Sequence, residues 1–352
     1  RSDRLSLSSA KINNKIVERS YQHLAIRSIT ESLEEKNQRR SLIVMATGSG
    51  KTRVVIALVD LLMRCNWIKR TLFLADRISL VKQASREFGK HLPDTQVVNL
   101  LKDHDANGRV YVSTYQTILN QINKLDDLKR KFGIGYFDLV VVDEAHRSIY
   151  SKYKGIFNYF DSYLIGLTAT PVRNDGRGLG NVYEELVECG SIRELTAQGY
   201  LVPNRIVAPS IPDLQKIRLV AGDYEKRALD KKMNTTKLVG DLVSHWIKYG
   251  ENRATVVFAT SIAHSKHIAN IFRQNGVSSG HIDSKMSELD RETQLANLNS
   301  GKIKVLSNCQ ILSEGWDAVL VDILNFLLPI GAINDIYSKA RVWASISNTF
   351  AA

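Results

Sequence analysis

The sequence predicts an α/β protein built on parallel sheets. Short β-branched runs alternate with helical stretches, the run Leu139–Val142 is apolar at every position, and the alternation occurs twice along the chain. Strands separated by helices need crossover connections, which pair them in parallel. A strand with no polar side is one covered on both faces.

The first series of strands falls at 41–47 (SLIVMAT), 71–76 (TLFLAD), 109–114 (RVYVST), 137–144 (FDLVVVDE) and 163–170 (YLIGLTAT), with helical patterns such as 52–64 and 78–88 between them. The second has strands at 254–260, 279–283, 304–309 and 323–329 and helices at 264–275 and 287–299. The stretch 222–250 reads as helical and leads into it. Three of the six prolines, Pro203, Pro209 and Pro212, fall between the two series. They mark a change of regime and divide the chain into a first lobe at 1–208, a linker at 209–221 and a second lobe at 222–352.

Bulk properties agree. A chain of 352 residues is too long for one ordinary domain. Its 44% hydrophobic and 24% charged residues describe a globular protein, not a disordered one. A net charge of +12 favours polyanionic partners, nucleic acid ahead of an anionic membrane surface. Cys65, Cys189 and Cys309 are far apart with no CxxC spacing. That argues against a disulfide framework or zinc site and fits a reducing, cytoplasmic setting. The longest apolar stretch, 318–333, is interrupted by Asp322 and Asn325 and reads as a buried strand, so no membrane is expected as a partner. The sequence begins at Arg1 and not at Met, as a fragment or processed product would.

The chemistry concentrates in two places. "MATGSGKT" (45–52) stands at a strand-to-helix boundary. Glycines let the backbone curl so that several N–H groups face one anion, and the helix that follows adds its positive end. In this reading Thr47, Gly48, Ser49 and Gly50 form a phosphate cradle, Lys51 reaches the terminal phosphates and the Thr52 hydroxyl holds Mg2+. Met45 stands where the strict pattern has glycine. The plainer alternative is a glycine turn beside a surface lysine; the strand before and the apolar helix after favour the cradle. "VVVDEAH" (140–146) places Asp143 and Glu144 at the C-terminal end of a buried strand, where open α/β sheets bind ligands. Asp143 is expected to hold Mg2+ and Glu144 to orient and deprotonate an attacking water. A solvated acidic turn is the alternative.

GSGKT, DEAH and "LTATP" (167–171), in that order, resemble the DEAD/DEAH-box helicases and translocases of superfamily two. "RSYQ" (19–22), "FLADRISLVKQA" (73–84), "VSTYQT" (112–117), "VVFATS" (256–261) and "SEGWD" (313–317) extend the likeness over most of the chain. The segment 137–171 is similar to type I restriction enzyme motor subunits, and the second lobe to bacterial and phage helicases. Too few residues precede the cradle for the nuclease domain of such subunits, which is expected to be absent or to lie outside this sequence.

The resemblance implies two RecA-like lobes in tandem with a nucleotide cleft between them, ATP and Mg2+ as cofactors, and a helicase or translocase that acts on nucleic acid, DNA favoured over RNA. It implies adenine recognition by Gln22 and nucleotide contacts from Gly315 and Asp317. His146 would couple nucleotide state to Thr168 and Thr170. Arg77, Thr114, Gln116 and Ser261 are candidate contacts to the nucleic-acid backbone, which position a strand without reading its sequence. The expected Gly-Arg pair and following arginine near the end are missing, and Arg341 is the candidate for the arginine finger only with a shifted alignment. Catalysis is therefore assigned to Lys51, Asp143, Glu144 and Arg341. Two alternatives remain beside an autonomous helicase: a motor subunit in a restriction or defence complex, and an ATP-gated nucleic-acid clamp with impaired hydrolysis.

Overall fold

The computed structural model describes residues 3–103, 107–123, 125–126, 129–145, 149–169, 179–201, 219–220, 223–250, 252–309, 311–312 and 323–326. The chain divides into two compact units, Arg1–Leu195 and Thr196–Ala352. Of the expected linker, only Leu219–Val220 lies within the described residues.

The first unit runs α1 (Ser20–Glu34), β1 (Arg40–Val44), α2 (Lys51–Arg64), β2 (Thr71–Ala75), α3 (Ile78–His91), β3 (Val97–Asn99), β4 (Val110–Thr114) and α4 (Tyr115–Asn123). A small hairpin, β5 (Leu125–Asp126) and β6 (Lys129–Arg130), is followed by β7 (Leu139–Val142), α5 (Ile149–Tyr159), β8 (Tyr163–Thr168), β9 (Glu185–Glu188) and α6 (Ile192–Ala197), whose last residues pass into the second unit. Seven of these strands form one sheet in the order β3-β4-β2-β7-β8-β1-β9, and every pairing in it is parallel.

Burial explains the pattern. Strands β2, β4 and β7 are buried at every position, as strands with helices on both faces must be. Helix α2 buries Val54 to Val59 without a break. Its β-branched residues are modest helix formers, so packing and not propensity holds it. The start of β7 is fixed by two devices. The Asp138 carboxylate accepts the backbone N–H groups of Lys69 (2.8 Å) and Arg70 (3.0 Å), which sets β7 beside β2. Phe137 is fully buried and packs edge-on against Tyr111 (centroids 5.3 Å) and Phe160 (5.1 Å), a favoured aromatic geometry. The strand that carries the acids is thereby held at its far end.

The second unit begins with a hairpin of β10 (Leu219–Val220) and β11 (Asp223–Tyr224), followed by α7 (Lys226–Met233) and α8 (Thr236–Tyr249). Then come β12 (Thr255–Phe258), α9 (Ile262–Gln274), β13 (Ser279–Ile282), α10 (Glu288–Asn299), β14 (Val305–Asn308) and β15 (Ile323–Phe326). Its sheet has the order β13-β14-β12-β15, again all parallel. The single helical stretch expected at 222–250 is corrected to a short strand and two helices. The break falls at Thr235, whose extended backbone and side-chain hydroxyl cap α8 by accepting the Leu238 N–H, a standard way for threonine to start a helix.

Two side-chain networks run through this unit. The Ser265 hydroxyl joins Ser307 Oγ (2.8 Å) and His281 Nδ1 (2.7 Å), and His281 Nε2 meets Asp283 (2.9 Å). Separately, Thr260 Oγ1 lies 3.0 Å from Asp230 and 2.9 Å from His264 Nδ1. His264 is fully buried, and desolvation pushes its imidazole down to about 4 against the partial opposition of Asp230. The native state therefore holds this ring neutral, while the unfolded chain takes up a proton near 6.5. Stability is expected to fall as pH drops from about 6.5 to about 4, by roughly 2–3 kcal/mol at about 1.4 kcal/mol per unit. Chemical denaturation across this range checks it: His264→Gln should flatten the slope relative to the unsubstituted protein.

Candidate nucleotide-binding site

Five strands of the first unit deliver the candidate residues to one edge. Because the sheet is parallel, the loop after β1, Arg77 after β2, Thr114 at the end of β4, the acids after β7 and Thr168 at the end of β8 all lie at the carboxyl ends of strands. That is the edge where open α/β sheets hold ligands.

The loop turns at two glycines in the left-handed region, Gly48 (φ 79°) and Gly50 (φ 87°). Met45 continues the strand, its N–H bonded to the Thr168 carbonyl (3.0 Å) and its side chain buried. A residue with ordinary backbone and an apolar side chain suits that position, which accounts for methionine where the strict pattern has glycine. Ser49 is turned inward: its N–H and its hydroxyl both reach the Ala46 carbonyl. The Ser49 carbonyl faces α1, where it accepts from Tyr21 Oη (2.9 Å) and Gln22 Nε2 (3.0 Å). A Cβ at Gly50 would come within 2.7 Å of Gln22 Nε2, the movable end of a flexible side chain, so it is the left-handed φ that calls for glycine there. Lys51 opens α2, and its ammonium reaches back to the Met45 carbonyl (3.4 Å).

The acid pair is built by the backbone. Asp143 N–H donates to Leu74 O (2.9 Å) and Ala145 N–H to Leu167 O (2.8 Å), while Tyr115 Oη donates to the Asp143 carbonyl (3.1 Å). Between these anchors Glu144 takes a left-handed conformation, φ 52°, and its N–H donates to its neighbour's Oδ1 (3.0 Å). Burial, and then the Glu144 and Asp76 charges, push the Asp143 carboxyl up to about 7; Lys51 and the Glu144 N–H oppose that rise. Burial in turn lowers the Lys51 ammonium, and both acids act to raise it. These donors fit a divalent cation. A half-buried carboxyl crowded by negative charge, with Lys51 against it, is relieved by a further positive charge.

Thr168 is fully buried and Gln22 nearly so. Gln116 is exposed, bonded to Asn120 (2.9 Å) and Tyr153 (3.4 Å). Two hydroxyls expected at the nucleic acid are helix caps: Thr114 Oγ1 accepts from Thr117 N at the start of α4, and Ser261 Oγ accepts from His264 N at the start of α9. Arg77 is the N-cap residue of α3. Thr47 and Thr52 lie within the loop and the first turn of α2. His146, Thr170, Gly315, Asp317 and Arg341 lie outside the described residues. Tyr21, Asp76 and Tyr115 are additions that motif reading did not single out. Each stands within a quoted motif, but nothing in the sequence shows which backbone carbonyl either phenol reaches.

Residues 15–173 match the family described as "Type III restriction enzyme, res subunit", and residues 235–343 match "Helicase conserved C-terminal domain". Together the matches take in more than half of the chain. The chain belongs to the superfamily-two helicases. It is 30% identical over 174 residues to the DNA 3'-5' translocase XPB2 of Sulfurisphaera tokodaii, covering 49% of this chain and 35% of that one. It is 29% identical over 271 residues to the type I restriction enzyme EcoAI endonuclease subunit of Escherichia coli, covering 71% of this chain and 33% of that one. The crystal structure of the Pyrococcus furiosus Hef helicase domain shares its fold, with a TM-score of 0.58 at 16% identity over 95% of both chains. The two units are thus tandem RecA-like lobes. The chain spans about half the length of the curated relatives it matches.

The left-handed Glu144 gives a stability prediction separate from chemistry. A Cβ in that region costs about 1–2 kcal/mol. Glu144→Gly is expected to be more stable than Glu144→Ala by about 1 kcal/mol, measured as the difference in denaturation midpoints.

Proposed function

We propose that this chain is an ATP-hydrolysing motor that acts on nucleic acid, DNA ahead of RNA. The observation that carries the reading is the convergence, at one sheet edge, of a loop curled at Gly48 and Gly50, Lys51, and the Asp143–Glu144 pair whose charges act on that lysine. Phosphoryl transfer needs positioning and charge neutralisation more than covalent chemistry, and these residues supply both.

In this reading the N–H groups of the loop at Thr47, Gly48, Ser49 and Gly50 hold the phosphates and Gln22 reads the adenine. Lys51 neutralises charge on the terminal phosphates. Thr52 and Asp143 would hold Mg2+, which supplies charge neutralisation across the phosphate oxygens. Glu144 orients the attacking water and takes its proton. The second lobe, 222–352, contributes Gly315, Asp317 and Arg341 across a cleft, with the hinge at 209–221 allowing closure and opening. His146, Thr168 and Thr170 link nucleotide state to the strand, and Arg77, Thr114, Gln116 and Ser261 contact its backbone. The net charge of +12 supports a polyanionic track. The names of the translocase and endonuclease relatives favour DNA. The likeness to a restriction enzyme subunit supports a second reading, a motor that works within a restriction or defence complex on duplex DNA. Among the described residues no helix is long and apolar enough to cross a membrane.

ATP turnover measured with single-stranded DNA, duplex DNA and RNA as separate stimulants tests the proposal. DNA is expected to stimulate most. Lys51→Ala should lower turnover by about 10²-fold or more, and Glu144→Gln should do the same while ATP binding persists. Turnover indifferent to both substitutions would sink the reading. Strand displacement by the chain alone would argue against the duplex-translocating complex.

A further inference from the structure

The carbonyl of Ser49 has two lone pairs, and both are engaged by consecutive residues of α1: Tyr21 Oη at 2.9 Å and Gln22 Nε2 at 3.0 Å. The three residues are buried. Behind the tyrosine, Arg19 Nη1 donates to Tyr21 Oη (3.0 Å). A phenol oxygen that accepts from a guanidinium becomes a stronger donor through its own hydrogen. The bond to Ser49 is therefore a polarised one.

A trans peptide is planar, with C=O and N–H pointing in opposite directions. Holding the Ser49 carbonyl against α1 turns the Gly50 N–H the other way. Gly50 is the N-cap of α2, so its N–H belongs to the group at a helix start that an anion would meet. The left-handed Gly50 allows this orientation, and the two side chains fix it.

We propose that Tyr21, backed by Arg19, is a positioning residue that keeps the phosphate loop in its anion-accepting conformation whatever the base. This rests on the nucleotide reading given above. In that reading Gln22 has two calls on its amide, the Ser49 carbonyl and the purine. When the amide turns to the base, Tyr21 is the donor that still holds the loop. The two neighbours then divide the work: Gln22 reads the base, and Tyr21 sets the grip on phosphate.

Equilibrium binding of MgADP and MgGDP to the full chain separates these roles. Tyr21→Phe keeps the ring and removes the hydroxyl. It is expected to weaken both nucleotides by about five- to tenfold, as the loss of one buried hydrogen bond would, and to leave their ratio unchanged. Gln22→Ala is expected to collapse the ratio. Arg19→Gln should reproduce the Tyr21→Phe signature at smaller size, and it carries the test if Tyr21→Phe does not fold. Unchanged affinity for both nucleotides in Tyr21→Phe overturns the proposal, and so does a loss confined to the adenine nucleotide. If the unsubstituted chain binds neither nucleotide, the nucleotide reading itself fails, an outcome distinct from the other two.

Discussion

A strand buried on both faces that ends in two adjacent carboxylates sets an electrostatic condition that its surroundings must meet. Strand β7 delivers Asp143 and Glu144 side by side, with Asp76 adding further negative charge. Burial and the neighbouring charges displace the Asp143 carboxyl upward. The positive groups that oppose this displacement are the Lys51 ammonium, brought by the loop after β1, and the N–H of Glu144 itself. In the proposed reading a metal–triphosphate complex would bring a cation to these acids and an anion to the lysine and loop.

Strain is placed where that pairing needs it. Glu144 is among four non-glycine residues with positive φ in the described structure, beside Asn37, Asn66 and Asn252. Asparagine visits this region readily and glutamate does not. The conformation persists because its neighbours are pinned: Asp143 by Leu74 and Tyr115, Ala145 by Leu167. Backbone bonds to two adjacent strands thereby over-determine one acidic side chain, a common arrangement at functional sites.

Much of this was legible in the sequence. The parallel strands β1, β2, β4, β7, β8 and β12 follow from largely apolar runs rich in β-branched residues, the signature that burial on both faces leaves. Strands β3 and β9 escaped because they are short edge strands: β9 buries only Val187 and Cys189 follows outside it, too little to mark a strand. The division of 222–250 into two helices turns on a single threonine cap, which local propensity does not distinguish from a surface threonine. In the site, glycines, lysine and acids declare themselves because few other settings want them at those spacings. Tyr21 and Tyr115 do not, because each acts on a backbone carbonyl through a hydroxyl, and nothing in a tyrosine's neighbours in sequence says which carbonyl lies above it. The hydroxyls of Thr114 and Ser261 carry the opposite lesson, since a helix cap and a phosphate contact ask for the same residue type at the same place.

Strand β8 lies between the loop-bearing strand β1 and the acid-bearing strand β7. Its last two carbonyls are bonded outward to both, Leu167 to Ala145 and Thr168 to Met45. Two strand spacings of about 4.8 Å set the gap between β1 and β7. The distance between cradle and acids is thus a lattice constant of the sheet, written in main-chain atoms. Side-chain drift over generations can retune affinity or partner choice, but it has no lever on that gap. A shift of β8 along its own axis would carry both halves together and leave the gap as it is.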